Sequence, residues 1–135
     1  MVIHADSSYL IDLLREQARA KSGRATAFLE DHETDRLLVS VFVVCELEAG
    51  AANSSSPDRE RARVRALLNA VETTYPDERF APLYAEVLVR LQKSGKVVAT
   101  MELLIGTAAA VDEASLVTSN RKHFENIPGV RVLDY

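Results

Sequence analysis

The stretch Leu37-Leu38-Val39-Ser40-Val41-Phe42-Val43-Val44-Cys45-Glu46-Leu47-Glu48-Ala49-Gly50-Ala51-Ala52 admits two readings. Leu37 to Ser40 reads as a strand, and local propensity carries it on to Cys45, because Val41, Phe42, Val43 and Val44 all favour extended backbone. The opposing pattern is helical. Cys45, Ala49 and Ala52 keep a helical spacing from Val41 or Phe42, and Ser40 is placed to cap such a helix. The residues alone leave this boundary open.

The flanks are clearer. Val2 to Ala5 is a short strand candidate ending at Asp6. Leu10, Ile11, Leu13, Leu14 and Ala18 then recur at helical spacing, so a helix starts at Ser7 or Ser8. A second helix is expected over Ala25 to Glu30. On the other side, Asn53-Ser54-Ser55-Ser56-Pro57 and the charged stretch Asp58 to Arg65 read as a surface connection. Ala62 to Val71 reads as a helix with Val64, Leu67, Leu68 and Val71 on one face. Thr73 to Tyr75 is a brief strand ended by Pro76, and Asp77 to Ser94 a longer helix that Gly95 terminates. Met101 to Glu113 is almost wholly apolar and small, as in a helix buried on most sides. Ser115 to Thr118 and Val130 to Leu133 are the last strands, with Pro128-Gly129 turning the chain into the second. Short strands alternating with helices describe an α/β fold with a mostly parallel sheet, and residues 1–135 are expected to form one domain.

Composition bounds the function. Of the 135 residues, 47% are hydrophobic and 27% charged, which excludes a disordered tail, a collagen-like repeat and a disulfide-stapled miniprotein. No apolar run reaches the roughly 18 to 20 residues of a membrane span. The N-terminus lacks the basic-then-apolar pattern of a secretion signal, and the single cysteine, Cys45, cannot form an intrachain disulfide, so a cytoplasmic location is expected. Sixteen Lys and Arg against 20 Asp and Glu give a net charge of -4. That leans against nucleic-acid binding through a broad basic surface. It leaves room for a protein whose acids are gathered in one site and whose positive charge comes from a metal.

In open parallel sheets, ligands bind beyond the C-terminal ends of the strands. Four polar residues fall there: Asp6 after the first strand, Glu46 shortly after the second, Glu102 opening the buried helix, and Asn120 after Leu116-Val117-Thr118. Each has a plain structural explanation: Asp6 as a helix cap, Glu46 as a solvent-facing residue, Glu102 as a partner of the helix dipole, and Asn120 as a turn residue. Their concentration on one edge favours a site. Clustered carboxylates need a compensating cation, and oxygen-only ligands select Mg²⁺ or Mn²⁺. Metal-assisted phosphodiester hydrolysis is the chemistry this supports. His4 and His123 lack a second nitrogen or sulfur ligand at useful spacing, so neither is assigned to a metal. Arg59, Arg61, Arg63 and Arg65 alternate with Asp58 and Glu60 as a solvated helix face does, and Phe124 is expected in the core.

The ordered set Asp6-Ser7-Ser8-Tyr9-Leu10-Ile11-Asp12, Val39-Ser40, Cys45-Glu46-Leu47-Glu48-Ala49-Gly50, Ser94-Gly95-Lys96, Glu102-Leu103-Leu104-Ile105-Gly106, Thr118-Ser119-Asn120-Arg121-Lys122-His123-Phe124 and Ile127-Pro128-Gly129 resembles PIN-domain proteins of the VapC toxin type. The resemblance covers nearly the whole chain. It implies a three-layer α/β/α sandwich and makes Val41 to Ala52 a helix that points Glu46 into the site. It further implies a Mg²⁺-dependent ribonuclease (Mn²⁺ being the alternative ion) acting on structured RNA, tRNA or rRNA, to arrest translation. The implied partners are a VapB-type antitoxin, operator DNA only through that antitoxin, and a second copy of the chain in a homodimer, with no membrane. Asp6, Glu46, Glu102 and Asn120 match the metal-binding and catalytic positions, and Thr118 with one of Ser7 or Ser8 the hydroxyls that hold the carboxylates. Arg121 and Lys122 are candidate phosphate contacts. Glu102 departs from the family pattern, which has Asp there, and Thr100 stands where many relatives have a further Asp.

Two other functions are weighed. A catalytically attenuated PIN-like module would bind RNA or its antitoxin without cutting, because Glu102 replaces the family Asp. A phosphoryl-transfer domain with Asp6 as nucleophile would want a second Asp two residues on, where Ser8 stands.

Overall fold

The computed structural model describes all 135 residues. Five strands, β1 (Val2–Ala5), β2 (Arg36–Ser40), β3 (Glu72–Thr74), β4 (Ser115–Val117) and β5 (Arg131–Leu133), form one sheet of spatial order β3-β2-β1-β4-β5. Every pairing is parallel, with Ile3 beside Leu37 on one side and Ser115 on the other. Parallel strands need crossovers, which the helices supply: α1 (Ser7–Ala18), α2 (Arg24–Asp31), α3 (Val41–Ala52), α4 (Pro57–Asn69), α5 (Phe80–Lys93), α6 (Thr100–Val111) and α7 (Arg121–Phe124). The sheet flanked by helices is the expected α/β/α sandwich, parallel throughout.

The contested stretch resolves as strand and then helix. Ser40 keeps an extended backbone, and its hydroxyl accepts a hydrogen bond from the Val43 N–H at 3.4 Å, which opens α3. Val43, Leu47 and Ala51, four residues apart, are the buried face. That burial outweighs the strand preference of the valines. The spacing that first suggested a helix ran through Cys45, which the structure leaves exposed.

Other boundaries shift for local reasons. The charged stretch after Pro57 is helix rather than connection: Pro57 occupies the first turn, where its missing N–H costs nothing, and Asp58 and Glu60 face the positive end of the dipole. Helix α5 begins at Phe80 and not Asp77, because the Asp77 carboxylate accepts from the Arg79 backbone N–H at 2.9 Å and builds a turn. Gly95 ends α5 with φ +67, and the Lys96 N–H closes on the Leu91 carbonyl at 3.0 Å. Helix α7 is an element the sequence reading did not anticipate.

The core gathers 22 buried residues, among them Ile3, Leu10, Val39, Leu103, Leu116 and Phe124. Helix α6 lies deepest, with six of its residues buried. A Cβ on its Gly106 would stand 2.7 Å from Ile127 Cδ1, so any larger residue there must displace that buried side chain. No helix is long and apolar enough to cross a membrane.

The strand order locates the site. From β1 the chain passes to β2 on one side, whereas from β4 it passes to β5 on the other. The C-terminal ends of β1 and β4 therefore flank the crevice where open parallel sheets bind ligands. Asp6 leaves one of these ends, and its N–H continues the ladder to the Val117 carbonyl at 3.0 Å. Thr118 leaves the other.

Candidate active site

Asp6 occupies the N-cap position of α1 but makes no side-chain capping bond. Its carboxylate is buried and points elsewhere. Oδ2 accepts from the Ser8 hydroxyl at 2.9 Å and the Thr118 hydroxyl at 2.8 Å. The two hydroxyls stand 3.1 Å apart and are themselves held, since the Ser119 N–H donates to Ser8 Oγ and the Asn120 N–H to Thr118 Oγ1. One oxygen of Asp6 is thus fixed across the crevice, while Oδ1 has no protein hydrogen bond and is not sealed from solvent.

Glu46 repeats the arrangement from the second turn of α3. Its Oε1 accepts from the Ser7 hydroxyl at 2.9 Å, and Oε2 has no protein partner. Ser7 and Ser8, adjacent in sequence, therefore serve two different carboxylates. Partial desolvation pushes the Glu46 carboxyl above the usual glutamate range, the Ser7 hydroxyl opposes this, and the charges of Asp6 and Glu102 reinforce it. These acids share one electrostatic field.

Glu102 sits in the first turn of α6. Its Oε1 lies 2.7 Å from His123 Nδ1, on α7. His123 was assigned no role from the sequence; the available signal was its place one helical turn past Asn120. Asn120 heads α7 with an exposed side chain that makes no capping bond. The structure thus gathers Asp6, Ser8, Thr118 and the Asn120 backbone into one network, and Glu46 with Ser7 into a second. Glu102 with His123 forms a third.

The candidate phosphate contacts differ. Arg121 is engaged, its guanidinium donating to both oxygens of Asp134 at 3.1 and 2.8 Å and to the Val132 carbonyl. Lys122 is exposed and unpaired. No Lys or Arg pairs with Asp6, Glu46 or Glu102.

The donor set fits a hard divalent cation in its chemistry: oxygen only, mutually repelling, uncompensated by any protein cation, with one oxygen of each carboxylate left over. No three His, Cys, Asp or Glu side chains stand together in a geometry that could hold a metal ion. A site of one or two direct carboxylates with water completing the shell is how Mg²⁺ is ordinarily held. Beside Glu46 a groove of about 380 Å³ runs between α1, α3 and α4, floored by Ile11, Leu14, Leu47 and Val64.

Comparison with known proteins agrees with this architecture. The PIN domain family matches residues 3–130. Ribonuclease VapC1 of Haemophilus influenzae is 26% identical over 135 residues, covering 100% of this chain and 98% of that protein. The tRNA(fMet)-specific endonuclease VapC of Salmonella typhimurium is 29% identical over 102 residues, 76% of this chain and 77% of that one. The structure of VapBC2 from Rickettsia felis bound to a promoter DNA fragment matches with a TM-score of 0.90 at 20% identity, over 100% of this chain and 99% of that chain. At that identity the shared property is the fold.

Proposed function

The chain belongs to the PIN-domain family, and from that premise we propose that it is a Mg²⁺-dependent endoribonuclease toxin of the VapC type. The observation that carries the reading is the repeat at the sheet edge: Asp6 and Glu46 each have one oxygen held by a hydroxyl and one left available, and Glu102 lies within their electrostatic reach. The chemistry a bound divalent cation supplies is activation of water and neutralisation of charge building on a scissile phosphate.

The chain's own residues hold and orient. Ser8 and Thr118 prevent the Asp6 carboxylate from rotating, Ser7 does the same for Glu46, and Asn120, whose backbone N–H joins the Thr118 hydroxyl, would add a neutral amide oxygen. Preorganisation of this kind removes reorganisation from the reaction step. The substrate class is tRNA or rRNA, the first supported by the tRNA(fMet)-specific activity of the Salmonella typhimurium relative, and its cleavage would arrest translation. A VapB-type antitoxin as partner is supported by the fold's likeness to VapBC complexes. The apolar groove ending at Glu46 suits a peptide segment that reaches the site. A homodimer and a cytoplasmic location complete the reading.

The test is cleavage of total RNA by purified protein with Mg²⁺, with EDTA, and with Asp6→Ala. Cleavage confined to the first condition is expected; cleavage surviving EDTA overturns it. The open ligand set favours one second reading, a module that binds RNA or antitoxin without cutting. RNA binding in Mg²⁺ with no product would select it.

A further inference from the structure

We infer that the Arg121 guanidinium is a binding site for an RNA phosphate next to the reacting one, and that the Asp134 carboxylate holds that phosphate's place in the free protein. The inference deepens the reading of the chain as an RNA-cutting enzyme and rests on RNA being its ligand.

Arg121 is carried on the same turn as the site. It follows Asn120 directly, and the Asn120 N–H donates to the Thr118 hydroxyl that holds Asp6. Its guanidinium is already formed into a fork. Nε and Nη2 donate to the two oxygens of Asp134 at 3.1 and 2.8 Å, and Nη2 also donates to the Val132 carbonyl at 3.2 Å. Two parallel N–H groups on two oxygens of one anion is the arrangement by which arginine takes a carboxylate or a phosphate alike. Nη1 has no protein partner.

Asp134 is a weak permanent partner and a good temporary one. Its side chain is 68% exposed and that of Arg121 44%, so the pair contributes little to stability and opens at small cost. The residues around it are fixed. Leu133 ends β5, and the Tyr135 phenol donates to Asp12 at 2.7 Å, reaches the Ser8 carbonyl at 3.5 Å and sets its ring edge-on to Tyr9. Asp134 therefore leaves the fork by turning its own side chain, with the backbone in place. The Val132 carbonyl keeps the guanidinium aimed meanwhile, because that bond does not involve Asp134. The same anchors set the fork between Asn120 and Ser8, on the rim of the crevice that holds Asp6.

The test is the affinity of the full chain for fluorescein-labelled tRNA, read by anisotropy in EDTA across a range of salt, for Asp134→Asn, Arg121→Gln, the double variant and Glu125→Gln. Without divalent cation the RNA stays intact and the readout is independent of any metal. Asp134→Asn is expected to tighten binding about 5-fold and to steepen the slope of log affinity against log salt by about 0.7 to 0.9, the increment of one phosphate contact. Arg121→Gln should weaken binding about 5-fold. The double variant should stay within about twofold of Arg121→Gln, because the gain needs the fork. Glu125→Gln removes the same charge one helical turn along, from a residue whose side chain makes no bond to Arg121. It should stay within about twofold of wild type.

Affinity in Asp134→Asn equal to or below wild type overturns the inference, since the pair is then a permanent tie. A gain that persists in the double variant, or that Glu125→Gln matches, overturns it too, since overall charge then explains it. So does tRNA bound by no variant. Failure of the underlying reading looks different. Wild type and Asp134→Asn would then leave total RNA uncut in Mg²⁺, while the gain through Arg121 remains.

Discussion

The two ends of α6 each carry an acid that meets a histidine at 2.7 Å, and the two contacts serve different purposes. At the N-terminal end Glu102 faces His123; at the C-cap Asp112 faces His4 Nε2. The helix dipole favours the first acid and opposes the second. His4 is 2% exposed against 56% for His123. Burial lowers the His4 pKa while Asp112 raises it, with burial the larger, and Nδ1 of the same ring is buried without a partner. Arg79 adds a distant second contact to Asp112 at 3.8 Å. One end therefore ties β1 to α6 through a desolvated group, where a lost partner is felt as stability. The other end presents a carboxylate to the open edge, where, on the proposed reading, a lost partner would be felt as function. Equal distances do not imply equal roles; solvent decides.

The largest separation between the ends should come from removing one acid on each side. Asp6→Ala, at the site end, should reduce RNA cleavage by about 100-fold or more and leave the melting temperature within a few degrees. Asp112→Ala leaves the buried His4 Nε2 unpaired and should destabilise the fold by about 1–3 kcal/mol, with Mn²⁺ affinity unchanged. Equilibrium urea unfolding alongside cleavage assays distinguishes the two. If Asp112→Ala lost affinity while stability held, the two ends would be one functional unit.

The next effect is a pH dependence confined to the buried end. His4 has a folded pKa below its ordinary 6.5, so between those two values the unfolded chain binds more protons. Stability should therefore fall as pH drops below about 6.5, level off below the folded pKa, and lose this slope in His4→Phe. Urea midpoints taken across the acid range measure it. An unchanged slope in His4→Phe would assign the acid sensitivity to other groups.

Glu46 gives a smaller effect of opposite sign at the site end. Its pKa is raised, so the folded state prefers the neutral acid, and native stability declines as pH rises from the ordinary glutamate value through the raised one. Glu46→Gln should raise the melting temperature of metal-free protein at neutral pH and abolish binding-induced stabilisation by Mn²⁺. A lower melting temperature would mean that the Ser7 bond outweighs the repulsion. The smallest effect is the stability change in His123→Phe, expected within about 0.5 kcal/mol of wild type because the pair is exposed.

Much of this arrangement is legible in the chain. The strand into Asp6, the apolar small-residue helix behind Glu102 and the strand Ser115 to Val117 follow from periodicity and punctuation, because those signals act within a few residues. Asp6, Glu46, Glu102 and Asn120 stand out because parallel strands present their C-terminal ends to ligands. The partners of those residues are legible only through the family resemblance, which named Thr118 and one of Ser7 or Ser8, whereas the structure uses both serines. Thr118 reaches Asp6 across 112 positions of sequence and Ser7 reaches Glu46 across 39, so no local pattern announces them. Arg121, a candidate for phosphate by position, is held instead by Asp134 thirteen residues on.

By itself, then, the sequence determined that helices and strands alternate, that acids gather after strands, and that the charge balance leans against a broad basic surface. These are properties of neighbouring residues and of totals. Only the tertiary structure decided where the strand through Val39 stops, since the burial of Val43, Leu47 and Ala51 against the sheet had to outweigh four residues of strand propensity. It alone set the strand order that places Asp6 beside Thr118 at the switch point. It alone divided two adjacent serines between two carboxylates and gave the third to a histidine. Those outcomes depend on which distant segments share a surface, and that is settled by packing the whole chain at once.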